Sequence, residues 1–353
     1  MTDKKSKKKK ELVKIQTVLI AVAVLVVAYV LIIGLIIYFL PRSENRLILG
    51  TTSIVPYPAA MSDAGVITVG KLYNELQSSK KFYESQDFSQ FGLRVDFSTE
   101  DGQKRLSIKE KNILNKLIDD SIIEAQAKKR GIKITKELLD QEVDRKLKEY
   151  GTGDYLKENL EKLYDWDLDD FKENIVKPDL YKEKLFIDLK KTDPSYEEAQ
   201  QKINQAKEKL NNGSDFSAVA KEYSQGESAK NGGSLGWFSA SQMLPEIAQT
   251  IFNFEKGQQS DVIESSIGYH IIKVEDVKTQ DGERMFNVRQ IFIPIKNLSQ
   301  WLEEFEKDYN IFIPMRRLTW NKEAEKVEFR DQSLNEYEQD LLKNPINDPS
   351  VLF

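Results

Sequence analysis

From Thr17 to Leu40 the chain carries no charge and is apolar at nearly every position. As a helix this stretch of 24 residues reaches about 36 Å against a hydrocarbon core of roughly 30 Å, so it predicts a spanning segment over 15–40. Pro41, Pro56 and Pro58 among small and polar residues then read as a linker over 41–60. Beyond it the apolar positions take a helical period. Leu114, Leu117, Ile118, Ile122 and Ala125 form one stripe, with Lys128, Lys129 and Arg130 in the last turn and Gly131 as a stop. Thr135 caps a second helix that turns Leu138, Leu139, Val143 and Leu147 inward and stops at Gly151. Two further stripes follow, Leu156/Leu160/Leu163 and Phe171/Ile175, and Pro178 marks a kink or break. Region 61–190 is therefore predicted all-α.

The pattern changes again over 195–278. Ala199, Ile203, Ala206 and Leu210 make a stripe stopped by Asn212-Gly213, and Phe216, Val219, Ala220 and Tyr223 make the next. Gly232-Gly233 precedes a short strand, Leu235–Phe238, and a helix with Met243, Ile247, Ile251 and Phe252 inward comes after it. Gly257 and Gly268 then bound two strands, 261–263 and 269–274. The fold class is α+β, with a domain over 191–280. A strand over 286–295, a helix with Trp301, Leu302 and Phe305, and a strand over 311–314 extend it through 281–320. Residues 321–353 read as a polar tail with a mobile end.

Charge orients the first segment. Residues 1–14 hold seven Lys against Asp3 and Glu11, while only Arg42 and Arg46 follow the apolar run closely, so the basic tail is expected in the cytoplasm and the rest of the chain outside the cell membrane. A cleavable signal peptide would have an apolar region of roughly 7–15 residues and an A-x-A site, so a single-pass anchor is expected instead. The rest of the chain carries −10 against +5 in residues 1–14, for a net charge of −5, which makes nucleic acid a poor partner. No cysteine is present, which excludes disulfides, thiolate chemistry and a lipidated Cys. One histidine, His270, leaves no two-histidine mechanism and no His-based metal site, and nothing in the sequence calls for a cofactor. Asp165, Asp167 and Asp169 alternate as calcium ligands do, but Asp170 and Val176 stand where such a loop needs Gly and Glu, so they read as helix-start acids.

Three blocks carry a resemblance: Gly232-Gly233-x-Leu235-Gly236-Trp237-Phe238, Gln242-Met243-x-Pro245-Glu246, and Gly268-Tyr269-His270-Ile271-Ile272-Lys273. Their order and spacing over about sixty residues resemble parvulin-type (PpiC, rotamase) peptidyl-prolyl isomerases. The resemblance implies a small antiparallel sheet and isomerisation of X-Pro bonds without a metal or cofactor. It implies Met243, Ile247, Phe252 and Trp237 at the substrate, and His270 and Ser265 in a polar catalytic network. The segments "VITVGKLYNEL", "LNKLIDDSIIEAQAKKRGIKITKELLDQEV" and "YDWDLDDFKENI" are similar to the N-terminal helical domain of SurA-like chaperones, which implies that 61–190 binds unfolded or nascent translocated polypeptide.

The match has departures. Gly226 stands where the family has an acid or thiol, with Glu227 adjacent as a partial substitute; Ser234 replaces an Asp, and Ile247 replaces the usual Phe. The family's opening strand, with its second histidine, has no counterpart in 185–196. Two readings stay open: the strand is absent, or "FNVRQIFIPI" refills its slot by circular permutation, placing Gln290 opposite His270 as the second catalytic-network residue. Two functions follow, a foldase that isomerises X-Pro bonds or a holdase that has kept the scaffold without efficient catalysis.

Overall fold

Burial of the apolar helical stripes dictates the first compact unit of the computed structural model, residues 1–183 with 303–353. The structure describes residues 2–43, 45–86, 96–150 and 153–343; the expected stop at Gly151 and the last part of the expected tail, 344–353, lie outside them. The unit begins with α1 (Thr2–Phe39), α2 (Arg46–Ile54), the ribbon β1 (Pro58–Ser62) and β2 (Gly65–Thr68), and α3 (Val69–Ser85). Then come α4 (Glu100–Lys129), α5 (Lys136–Tyr150), α6 (Gly153–Tyr164), α7 (Leu168–Phe171) and α8 (Lys177–Thr192), the last running into the second unit. Leu106, Leu114, Ile122, Leu72 and Leu76 are fully buried, as the α4 stripe and its α3 partner require. Thr99 caps α4 by accepting from Gly102 N–H at 3.0 Å, and Gly131 at φ +80° ends it. Asp167 caps α7 in a capping box with Asp170. A π-turn, Lys172–Val176, immediately precedes Lys177-Pro178, so the expected break is a local widening of the helix.

The second unit, residues 184–302, holds α9 (Pro194–Asn211), α10 (Phe216–Tyr223), β3 (Ser234–Ser239), α11 (Pro245–Ile251), β4 (Ile263–Ser265), β5 (Gly268–Gln280) and β6 (Glu283–Pro294). The sheet is antiparallel in the order β3-β6-β5-β4. β6 therefore sits centrally beside the strand of His270, the place that the permutation reading required of it. Helix α12 (Leu298–Glu306) leads back to the first unit, which ends in the hairpin β7 (Leu318–Asn321) and β8 (Lys326–Phe329) and in α13 (Gln332–Lys343).

Several expectations need correction. Residues 41–60 contain α2 and the start of β1, because Ile48 and Thr52 are buried and Asn45 caps the helix through Leu47 N–H at 2.9 Å. The expected strand 311–314 is a single bridge, Met61 to Phe312. The expected tail is built into the first unit as far as Lys343: Val327 and Phe329 are buried, and Val327 N–H donates to Asn115 Oδ1 at 2.7 Å. Two-residue alternation in so short a hairpin gives too few apolar positions to register as a core segment in the sequence.

Candidate functional site

The β5–β6 hairpin sets the site. Its register pairs His270 with Phe292 and Ile272 with Gln290, so all four side chains share one face of the sheet. His270 is 1% exposed, and its ring stacks on Phe292 with centroids 4.8 Å apart and planes 22° apart. The Gln290 amide reaches diagonally across the hairpin to His270 Nδ1 at 2.5 Å, while Nε2 lies 2.7 Å from Ser265 Oγ. With the amide donating to Nδ1, the proton of the neutral ring sits on Nε2 and is given to Ser265 Oγ. That hydroxyl donates onward to the Gly268 carbonyl at 3.1 Å and accepts from Ile267 N–H at 3.2 Å. Burial holds the imidazole well below its ordinary range, at about 4, against the opposing pull of Glu246. The Oε2 atom of Glu246 is buried without a hydrogen-bond partner among the described residues.

The glycine-rich loop locks onto the same strand. Gln290 N–H donates to the Gly233 carbonyl at 2.8 Å, and Gly233 has φ +80°. A Cβ there would stand 2.4 Å from the Gln290 carbonyl oxygen, so glycine is required on both steric and conformational grounds. Upstream, Gln225 N–H donates to the Phe292 carbonyl at 2.8 Å, and Ser224 Oγ accepts from Phe292 N–H at 3.0 Å.

An apolar cluster adjoins this network: Ile247, Ile251, Ile263, Ile272, Val274, Phe286 and Val288 are buried, with Met243, Phe238 and Phe254 packed against them. Met243 follows the short turn Ala240–Gln242, and Ile247 lies on α11. Phe252, expected inward, is 55% exposed, because α11 ends at Ile251 and the helical period no longer places it. Trp237 is 37% exposed on β3, with Lys278 Nζ 4.5 Å from its ring centroid. Glu227 is exposed at the head of the 3₁₀ turn Glu227–Asn231 and takes no described part in the His270 network. Thus His270, Ser265 and Gln290 converge, Met243 and Ile247 belong to the apolar cluster, and Trp237, Phe252 and Glu227 stand at the surface.

Two participants carried no signal in the sequence. Phe292 looks like any strand aromatic until register puts it under His270, and Ser224 looks like loop filler until it closes on the Phe292 backbone.

The PPIC-type PPIASE rotamase family model matches residues 185–276. The chain is 34% identical over 198 residues to a foldase protein PrsA of Geobacillus kaustophilus (strain HTA426), covering 50% of this chain and 65% of that one. It is 30% identical over 230 residues to a foldase protein PrsA of Geobacillus sp. (strain WCH70), covering 58% of this chain and 79% of that one. A chaperone SurA of Methylobacillus flagellatus (strain ATCC 51484 / DSM 6875 / VKM B-1610 / KT) is 39% identical over 84 residues, covering 24% of this chain and 19% of that one.

Proposed function

This chain belongs to the PrsA foldase family, and from that premise we propose that its second unit catalyses cis–trans isomerisation of X-Pro bonds in translocated polypeptides. The observation that carries the reading is the closed network Gln290–His270–Ser265 set beside the apolar cluster of Met243 and Ile247. Rotating an X-Pro amide needs neither a nucleophile nor a cofactor. The barrier is about 18–20 kcal/mol, and a site lowers it by favouring the twisted amide over the planar one. Met243 and Ile247 take the proline ring. His270, neutral and fixed at both nitrogens, positions Ser265 and the chain around Gly268 so that the polar side of the site stays where conjugation is lost. Trp237, Phe252 and Glu227 are exposed, which leaves them open to the residues flanking the proline.

The apolar helix Gln16–Phe39 is long and apolar enough to cross a membrane. We read it as a single-pass anchor with the basic tail in the cytoplasm and both units outside. The helical unit, similar in sequence to SurA-like chaperones, holds the client polypeptide. A specific observation favours the holdase as second reading: Gly226 and Gln290 stand where the resemblance calls for an acid and a histidine.

An exchange assay on a prolyl peptide, with the full chain in detergent micelles, tests the proposal. Met243→Ala removes packing worth on the order of 1–2 kcal/mol, and about tenfold is expected to be lost from kcat/KM. No acceleration by the parent chain, with binding of unfolded protein preserved, leaves the holdase.

A further inference from the structure

Helix α2 runs beside the last turns of α1, well before the apolar stretch ends. Tyr29 OH lies 2.8 Å from Thr51 Oγ1, and Tyr57 OH donates to the Val30 carbonyl at 2.6 Å. Gly34 faces the Tyr57 ring so closely that a Cβ would stand 3.2 Å from it, and Ile33 and Ile37 are 5% and 3% exposed. Farther along, Arg317 Nη1 donates to the Ile37 carbonyl at 3.1 Å, Arg316 N–H to the Tyr38 carbonyl at 2.9 Å, and the Arg316 guanidinium sits 4.7 Å from the Phe39 ring centroid. The end of α1 is built into the helical unit.

That placement has a geometric consequence. Of the apolar helix Gln16–Phe39, only the part before Tyr29 is clear of these contacts, about 20 Å of helix against a hydrocarbon core of roughly 30 Å. The missing 10 Å or so lies in the turns that carry Tyr29, Val30, Ile33 and Gly34. A bilayer crossed by α1 therefore reaches the level of α2.

The side chains of α2 suit that depth. Leu47 and Ile54 are 69% and 84% exposed and lie seven residues apart on one face with Gly50, while Ile48 and Thr52 face inward. The helix contains no Asp or Glu. All three of its hydroxyls return to its own backbone: Thr51 to the Leu47 carbonyl at 2.7 Å, Thr52 to Leu49 at 2.9 Å and Ser53 to Gly50 at 2.8 Å. Closure of polar groups within the element is what an apolar solvent demands and water does not.

The geometry points to α2 as a membrane-embedded helix: its Leu47/Gly50/Ile54 face lies among the acyl chains of the outer leaflet beside α1, seating the helical unit on the bilayer surface. The inference rests on the reading of α1 as an anchor. It replaces a flexible tether by a fixed mount, with Arg46 and Arg316, both exposed, at the level of the headgroups.

Because the chain lacks cysteine, single substitutions Leu25→Cys, Leu47→Cys, Ile54→Cys and Lys221→Cys allow a nitroxide at each position of the full chain in phosphatidylcholine/phosphatidylglycerol vesicles. The ratio of oxygen to nickel-chelate accessibility reads lipid against water. Leu47→Cys and Ile54→Cys are expected to match Leu25→Cys, several-fold above Lys221→Cys. Lipid at Leu25 with water at Leu47 and Ile54 overturns the embedded helix and leaves the anchor; water at Leu25 overturns both.

Discussion

Gln290 donates its amide to His270 Nδ1 at 2.5 Å across the β5–β6 hairpin and so occupies, with a group that cannot titrate, one side of a ring whose other nitrogen faces Ser265. Gln290→Ala strands a buried nitrogen and is expected to cost about 1–3 kcal/mol of stability in the second unit and to lower the exchange rate. Gln290→Glu puts a carboxylate at the same nitrogen, and the imidazole resonances in an NMR titration are expected to move to a higher midpoint than the parent's.

The pH dependence of the second unit follows from His270. Its folded-state value is depressed to about 4 by burial, so below pH 6.5 the unfolded chain takes up a proton that the folded one refuses. The stabilisation is whole above pH 6.5 and is lost as pH falls from 6.5 to 4, on the order of 3 kcal/mol in all. Denaturant midpoints for His270→Gln are expected to be flatter over that interval.

The helical unit has the opposite sign. Asp119 and Glu306 share a hydrogen bond and are both held above the ordinary carboxylate range, first by burial; the shared hydrogen bond opposes the rise at Asp119 and Asp120 adds to it, while Asp119 pushes Glu306 up to about 8. Lys182, Lys116, Asp120, Glu303 and Glu325 are the other charges acting on the pair. The folded pair keeps a proton that the unfolded chain gives up, so its contribution is full at low pH and declines as pH rises from the carboxylate range through about 8. Hydrogen exchange in α4, corrected for intrinsic rates, is expected to show protection falling over that interval in the parent and a shallower fall in Glu306→Gln.

Gly226 tests the departure nearest the site. Its φ of −76° suits any residue, and a Cβ would meet Phe292 Cδ1 at 3.5 Å, an ordinary contact. Gly226→Asp is therefore expected to fold with an unchanged melting temperature and to raise the exchange rate by supplying the acid the loop lacks. Gly233→Ala, with φ +80° and a Cβ 2.4 Å from the Gln290 carbonyl oxygen, is expected to lower the melting temperature clearly.

Much of this molecule was legible before its structure. The glycine loop, Met243 and His270 stood in motifs and Ser265 came with the resemblance, while the strand composition of 286–295 left Gln290 as one of two open readings until the hairpin register put it beside the strand of His270. Phe292 was not legible as a stacking partner, since that role is fixed by register alone. Phe252 was misplaced because the helical period continues in the sequence one residue past the end of α11. Helix α2 looked like a tether because Thr51, Thr52 and Ser53 count as polar, whereas each hydroxyl is spent on a carbonyl of its own turn.

Catalysis by the second unit is read from the exchange rate of a cis X-Pro peptide with the full chain in micelles, compared with Met243→Ala and His270→Ala. Acceleration above the uncatalysed exchange of tens of seconds is expected, with both variants slower and still folded. A parent rate equal to background, or variants as fast as the parent, contradicts it.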